Sequence, residues 1–181
     1  VEPLWDVIES NPERLSERAL ETPLEGLSVF FTVAKNQGHK VEPLWDVIES
    51  NPERLSERVL ETSLDSLSVF LTVAKSHERK VEPLWDVIES NSERLTKRVL
   101  ETPLDSLSRF LIVAKSHERK VELLWNIIEI NRERLLEQVK EAPLDGLSIF
   151  FTVAKSHARN VDSLWKALES DLQRFSEQLW R

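Results

Sequence analysis

VEPLWDVIESNPERLSERVLETSLDSLSVFLTVAKSHERK, residues 41–80, is one copy of a forty-residue unit. The unit also fills 1–40, 81–120 and 121–160, and a shortened fifth copy, VDSLWKALESDLQRFSEQLWR, fills 161–181. A fixed period of this length marks a solenoid, a propeller or an array. Within the unit, Leu64, Leu67, Phe70, Leu71 and Ala74 fall at helical spacing on one face. Val69 and Val73, with the small Ser66 beside them, make a narrower second stripe on the far side. A helix apolar on two sides is expected to be packed on two sides, which makes this the inner helix of the unit.

Proline marks the helix starts. Pro3 and Pro12 suit first helical turns, and the residue before a proline is pushed out of the helical region. Thr22-Pro23-Leu24-Glu25 reads as a third start, with Thr22 as cap, Pro23 at the first helical position and Glu25 as capping-box partner. In repeat three the same device has Thr102, Pro103 and Asp105, the last too short to be a good box partner. The expectation is three helices per repeat, roughly 3–10, 12–20 and 23–37 in the first. Ser92, Arg132 and Leu172 replace the second proline in repeats three, four and five, and there the two short helices are open to fusion.

No segment alternates with period two, and Tyr is absent. The predicted fold is all-α: an α-solenoid superhelix of four repeats plus a C-terminal half-repeat (161–181) acting as a cap, counted as one elongated domain over 1–181, with roughly 60–75% helix. Trp5, Trp45, Trp85, Trp125 and Trp165 occupy one slot in the five copies and read as a structural aromatic ladder. Burial of a large apolar side chain in such a seam contributes roughly 1.5–3 kcal/mol.

The helical repeat of about forty residues resembles the α-solenoid superfamily of armadillo, HEAT and tetratricopeptide proteins, and the short-short-long helix order is most armadillo-like. The likeness is one of architecture and spans the whole chain. Trp45 is followed by Asp46-Val47-Ile48, which departs from the tetratricopeptide pattern of Trp, then Leu-Gly, then Tyr, so no functional residues are carried over. The resemblance implies a curved scaffold that binds proteins or peptides along an extended surface.

Composition narrows the functional classes. The chain of 181 residues has no cysteine, which excludes disulfides and thiolate metal sites and leaves an intracellular, cytoplasmic location as the default. No long apolar run predicts a membrane span. There is no signal-peptide pattern and no initiator Met, as in an excised or processed piece. The formal net charge is −8, with both signs mixed along every repeat, the pattern of a solvated helix surface.

Chemistry is weighed repeat by repeat. An active site needs unlike groups converging once, whereas Glu9, Glu49, Glu89, Glu129 and Glu169 form one ladder and Arg14, Arg54, Arg94, Arg134 and Arg174 another. Rungs about 10 Å apart, one helix diameter, do not make a retaining carboxylate pair. Glu9 is expected to pair with Arg14 or with the next repeat, or an Arg to lie on the indole face. His77, His117 and His157 recur at one position, with His39 near it in repeat one. Rungs so spaced cannot share an ion, and a structural role past the inner helix C-terminus is expected. No enzyme, cofactor or metal site is predicted. Nucleic-acid reading by one repeat per base is disfavoured by the acidic balance and by repeat differences scattered over the unit.

The predicted function is therefore a non-catalytic scaffold for a protein or peptide. The alternatives are a structural spacer or a designed array without a natural ligand, and second a nucleic-acid-binding array. Arg109 replaces the apolar residue of the second stripe, and Lys140 replaces Leu20, Leu60 and Leu100. A buried unpaired charge is costly, so both positions should be partly exposed. The second stripe is then expected at the edge of the concave surface as the ligand-contacting strip: Val29, Val33, Val69, Val73, Arg109, Val113, Ile149 and Val153. At the ends, Lys166, Asp171 and Gln173 look like cap adaptations, with the half-repeat closing over Phe150, Phe151 and Val153. Val1–Ser10 shows none. Leu4, Trp5 and Ile8 are therefore expected to lie uncovered and to support weak self-association through the first repeat.

Overall fold

The computed structural model describes residues 2–179, without the side chains of 2–4, 92, 168, 171–172 and 174–179. About 80% of the chain is helical, above the expected range, with no strand among the described residues. Four triplets succeed one another: α1 (Glu2–Glu9), α2 (Pro12–Glu21), α3 (Leu24–Asn36); α4 (Glu42–Ser50), α5 (Pro52–Glu61), α6 (Leu64–Ser76); α7 (Glu82–Ser90), α8 (Ser92–Glu101), α9 (Leu104–Ser116); α10 (Glu122–Ile130), α11 (Arg132–Glu141), α12 (Leu144–Ser156). A single helix, α13 (Asp162–Leu179), follows. The helices group into two compact units, Val1–Ser92 and Glu93–Arg181.

In the first unit, α3 packs on α6, while the second helix of each repeat packs on the first helix of the next, α2 on α4 and α5 on α7. The second unit repeats the scheme with α9 on α12 and α11 on α13. The interior is the predicted face. Leu64, Leu67, Phe70, Leu71 and Ala74 are all buried, as are their counterparts Leu104, Leu107, Phe110, Leu111 and Ala114. Trp5, Trp45, Trp85 and Trp125 are buried as expected, but Trp165 is 47% exposed. Trp45 stacks on Phe31 of the preceding repeat with ring centroids 4.0 Å apart. The indole Nε1 of Trp45 and of Trp125 is buried without a hydrogen-bond partner among the described residues. At these two positions the indole is therefore held by shape and apolar contact, not by a hydrogen bond.

The break between the first two helices belongs to asparagine more than to proline. It persists in repeats three and four, where Ser92 and Arg132 stand in place of proline, and is lost only in α13. The Asn Nδ2 donates to the carbonyl four residues back in every broken copy: Asn11 to Val7 at 2.8 Å, Asn51 to Val47 at 2.8 Å, Asn91 to Val87 at 2.6 Å and Asn131 to Ile127 at 2.9 Å. That bond closes the first helix while the residue's backbone leaves the helical region, φ −125° and ψ 52° at Asn51. Repeat five has Asp171 there, and a carboxylate has no donor to offer a carbonyl.

Three further expectations are corrected. Thr22 does not cap α3: its Oγ1 bonds back to Arg18 O at 2.6 Å, Pro23 is the N-cap, and only Leu24 begins the helix. In repeat two, where Ser63 replaces the proline, its hydroxyl does cap, accepting from Ser66 N at 3.2 Å. Two-sided packing of the inner helix is not found at Val29, Val69 and Ile149, which are exposed.

The third correction concerns the first repeat, where Gln37 and His39 cover Trp5. Trp5 donates to Gln37 Oε1 at 2.6 Å and stacks on His39 at 4.2 Å, so it is covered without a preceding repeat. Ile8 is half-buried, and the Leu4 side chain lies outside the described residues. At the other end Phe150 and Val153 are buried and Phe151 meets Trp165 edge-on at 5.0 Å, but Leu144 remains 72% exposed. Of the substitutions read as cap adaptations, the Asp171 side chain lies outside the described residues.

Each inner helix ends on the same backbone device. Arg79 N reaches Ala74 O and Glu78 N reaches Lys75 O, both at 2.9 Å, with Glu78 left-handed at φ 58°. This is a Schellman end, and repeat one uses Gly38 at that position, where φ is 74°.

If asparagine holds the break, Asn51→Ala should lower stability by about 1 kcal/mol. Pro52→Ala should cost less than about half of that. Urea midpoints of the two variants check the order, and a larger loss from Pro52→Ala contradicts it.

Candidate functional site

The second stripe of the inner helix emerges because the first face takes all the packing. In the first unit Val29 (65% exposed) and Val33 (40%) lie four residues apart on α3, and Val69 (55%) on the adjacent α6, with Val73 half-buried below it. In the second unit Arg109 is exposed and Val113 half-buried on α9, while on α12 Ile149 is 42% exposed and Val153 is buried. Val153 therefore leaves the predicted strip and joins the interior. Arg109 is not a buried charge: its Nη2 donates to Asp105 Oδ2 at 3.0 Å, one helical turn away. Lys140 is exposed as well, with Glu137 at 4.0 Å.

One strip residue escaped the sequence reading. Ile112 is 46% exposed beside Arg109 and Val113. Its counterparts Thr32 and Thr72 turn their hydroxyls back to the carbonyls of Ser28 and Ser68 at 2.7 Å. The signal was the Thr72/Ile112 difference itself: a polar side chain occupied with its own helix is replaced by one that offers apolar contact.

The charged ladders tie repeats together, though not through the expected pairs. Arg79 reaches both Asp46 and Glu49 of its own repeat. Burial opposes its charge, but the hydrogen bonds to Asp46 and Glu49 hold the guanidinium above its usual pKa. Glu49 also accepts from Val81 N at 3.1 Å, which pins the entry to the next repeat. In the second unit Arg159 bonds Glu122, lies 3.7 Å from Glu129, and sits over the Trp125 ring at 5.9 Å. The expected Arg-on-indole contact thus comes from Arg159, outside the predicted ladder. Arg54 of that ladder pairs back with Glu17 of the preceding repeat at 3.2 Å. Glu9 pairs with His39 at 3.4 Å, and Glu169 accepts from Trp165 Nε1 at 2.6 Å.

The histidines are inter-repeat struts. His77 and His157 are the C-caps of α6 and α12, and each Nε2 lies 3.0 Å from an inner-helix carbonyl of the preceding repeat, Phe31 and Leu111. A carbonyl only accepts, so Nε2 carries the proton and donates. Among the described residues no three His, Asp or Glu side chains are grouped to hold a metal ion, and no helix is long and apolar enough to cross a membrane. What the strip presents is apolar contact surface and one guanidinium. No protein-family model, curated protein or solved structure matches the chain.

Burial lowers the His157 pKa below 6.5; the nearby cations Lys115 and Arg159 lower it further, against the opposing pull of the Leu111 carbonyl and Glu122. The unfolded chain then binds this proton more readily than the folded one. The contribution is fully present above about pH 6.5 and is lost as pH falls through that value toward the lower folded pKa. The urea midpoint should accordingly fall between about pH 7.5 and about pH 5.5. It should fall less in His157→Gln, which places the residue of repeat one (Gln37) at that position. Equal slopes for the two proteins contradict the assignment.

Proposed function

We propose that the chain is an α-solenoid of four forty-residue repeats with a C-terminal half-repeat. On this reading it works as a non-catalytic, intracellular scaffold that binds a protein or an extended peptide along the inner-helix strip. The observation that carries the reading is the exposure of Val29 and Val69 at the same position of adjacent inner helices. Branched apolar side chains held outward at a regular interval, on a surface otherwise solvated by mixed charge, are what an elongated partner would use. Neighbour-to-neighbour packing within each unit supports the solenoid, since a repeat of this kind covers its apolar face only with the next one. Self-association through the first repeat stays in the proposal in a reduced form, through exposed Val7, because Trp5 is already covered.

Selection of random displayed peptides on the full-length chain tests the reading. Enriched peptides should be extended and carry apolar residues at regular spacing. Their affinity should fall at least about tenfold, roughly 1.4 kcal/mol, in Val29→Asp/Val69→Asp. The melting temperature of that variant should move by no more than about 4 °C, because both positions are exposed. Undiminished affinity in the double variant, or no enrichment at all, contradicts the strip.

A further inference from the structure

In the second unit a cleft of about 510 Å³ opens where the ends of α8 and α11 meet the starts of α9 and α12. Glu101, Asp105, Glu141 and Asp145 stand around it, all exposed, and Ile149 of the strip lies on its wall. Among the described residues Arg109 is the one cation lining it. Also lining it is Gln138, whose Nε2 donates to Leu100 O at 3.1 Å. The Gln138 Oε1 is shut off from solvent without a hydrogen-bond partner among the described residues. A desolvated acceptor left in this way lowers stability, and a donor that reached it by a turn of the amide toward the cleft would offset that loss.

The matching place in the first unit holds an arginine. The residue matching Gln138 is Arg58, and its Nη1 donates to the carbonyl of Thr22 at 2.9 Å. Glu21, Glu25, Glu61 and Asp65 match the four cleft acids. The first unit thus places the protein's own guanidinium where the second has Gln138. In repeat four the shorter Gln138 turns to the Leu100 carbonyl instead. Arg109 supplies part of the missing positive charge from the other side, tied to Asp105.

We propose that this cleft receives an arginine side chain of an extended basic peptide, whose apolar residues lie on Ile149 and along the strip. The inference deepens the scaffold reading and rests on it for the peptide's path. The choice of occupant rests on charge complementarity and on the internal copy. Four carboxylates, of which Asp105 already holds Arg109, and the unsatisfied amide oxygen of Gln138 favour a donor-rich cation, and a planar guanidinium offers five donors at once. The same carboxylates repel a phosphate backbone.

The test uses the full chain and a short fluorescein-labelled peptide of alternating valine and arginine, read by fluorescence anisotropy. A citrulline counterpart serves as the neutral isostere. Two variants restore residues the protein already tolerates at the matching positions: Gln138→Arg, as Arg58, and Arg109→Val, as Val69. Gln138→Arg should fill the cleft and weaken binding at least about tenfold, and Arg109→Val should tighten it about threefold to tenfold by removing the competing cation. Raising NaCl from about 0.05 M to about 0.5 M should weaken binding of the arginine peptide.

Three outcomes overturn the cleft: no binding by the wild type, equal binding of the citrulline peptide, or unchanged affinity in Gln138→Arg. The scaffold reading fails separately. If Val29→Asp/Val69→Asp leaves the selected peptides bound while Gln138→Arg still blocks the arginine peptide, the cleft stands and the strip is wrong. The reverse pattern sinks the cleft alone.

Discussion

The structure depends on a mismatch between what one repeat exposes and what it can cover. Trp45 lies flat on Phe31 of the repeat before it at 4.0 Å, and the aromatic neighbours from its own repeat, Phe70 and His77, are tilted, with ring centroids 5.6 and 5.5 Å away. Removing so large an apolar surface from water needs the adjacent copy. Polar contacts cross the same seam in both directions, with Lys35 and Lys115 reaching forward to the carbonyls of Ser76 and Ser156. His77 donates to the Phe31 carbonyl, Arg58 to the Thr22 carbonyl, and Arg54 pairs with Glu17, each reaching one repeat back. In the second unit His157 repeats the reach to Leu111. Backbone carbonyls of one inner helix are thus satisfied by side chains of the next, so register between neighbours is set by hydrogen bonds as well as by packing.

Periodicity made most of this legible. The helix triplets, the buried face of the inner helix and the tryptophan slot all follow from apolar spacing, because burial is what that spacing encodes. Individual side-chain bonds were harder to see. Proline was the visible breaker at position 12, yet the break is held by Asn11, whose donor bond to Val7 has no periodic trace. The first ten residues of repeat one match those of repeats two and three, so nothing in them shows how Trp5 is covered. Its cover is Gln37 and His39, which fold back over Trp5 from more than thirty residues away in sequence. Val153 was placed in the exposed strip by analogy with Val33, but it is buried while Leu144 of the same helix stays exposed.

Function, on the proposed reading, resides in the departures from the repeat. Identical positions build the interior and its struts; substituted positions change what the surface offers. Arg109, Ile112 and Gln138 fall within two successive repeats of the second unit, and Arg109 and Gln138 line the same cleft. One adds a cation where its counterparts are apolar, another adds apolar surface where its counterparts are threonine, and the third withdraws a guanidinium from a crevice that keeps its carboxylates. The first unit stays apolar along its strip and keeps Arg58 at the position of Gln138. A partner reading both would meet two different surfaces on one framework.

The central claim is that a repeat is stable only against its neighbour. Circular dichroism of the isolated segment 41–80 beside the full chain tests it most directly. The account predicts little helix and no cooperative transition for the segment, with a helical, cooperatively melting full chain. A segment that is fully helical and melts cooperatively at the temperature of the full chain would contradict it.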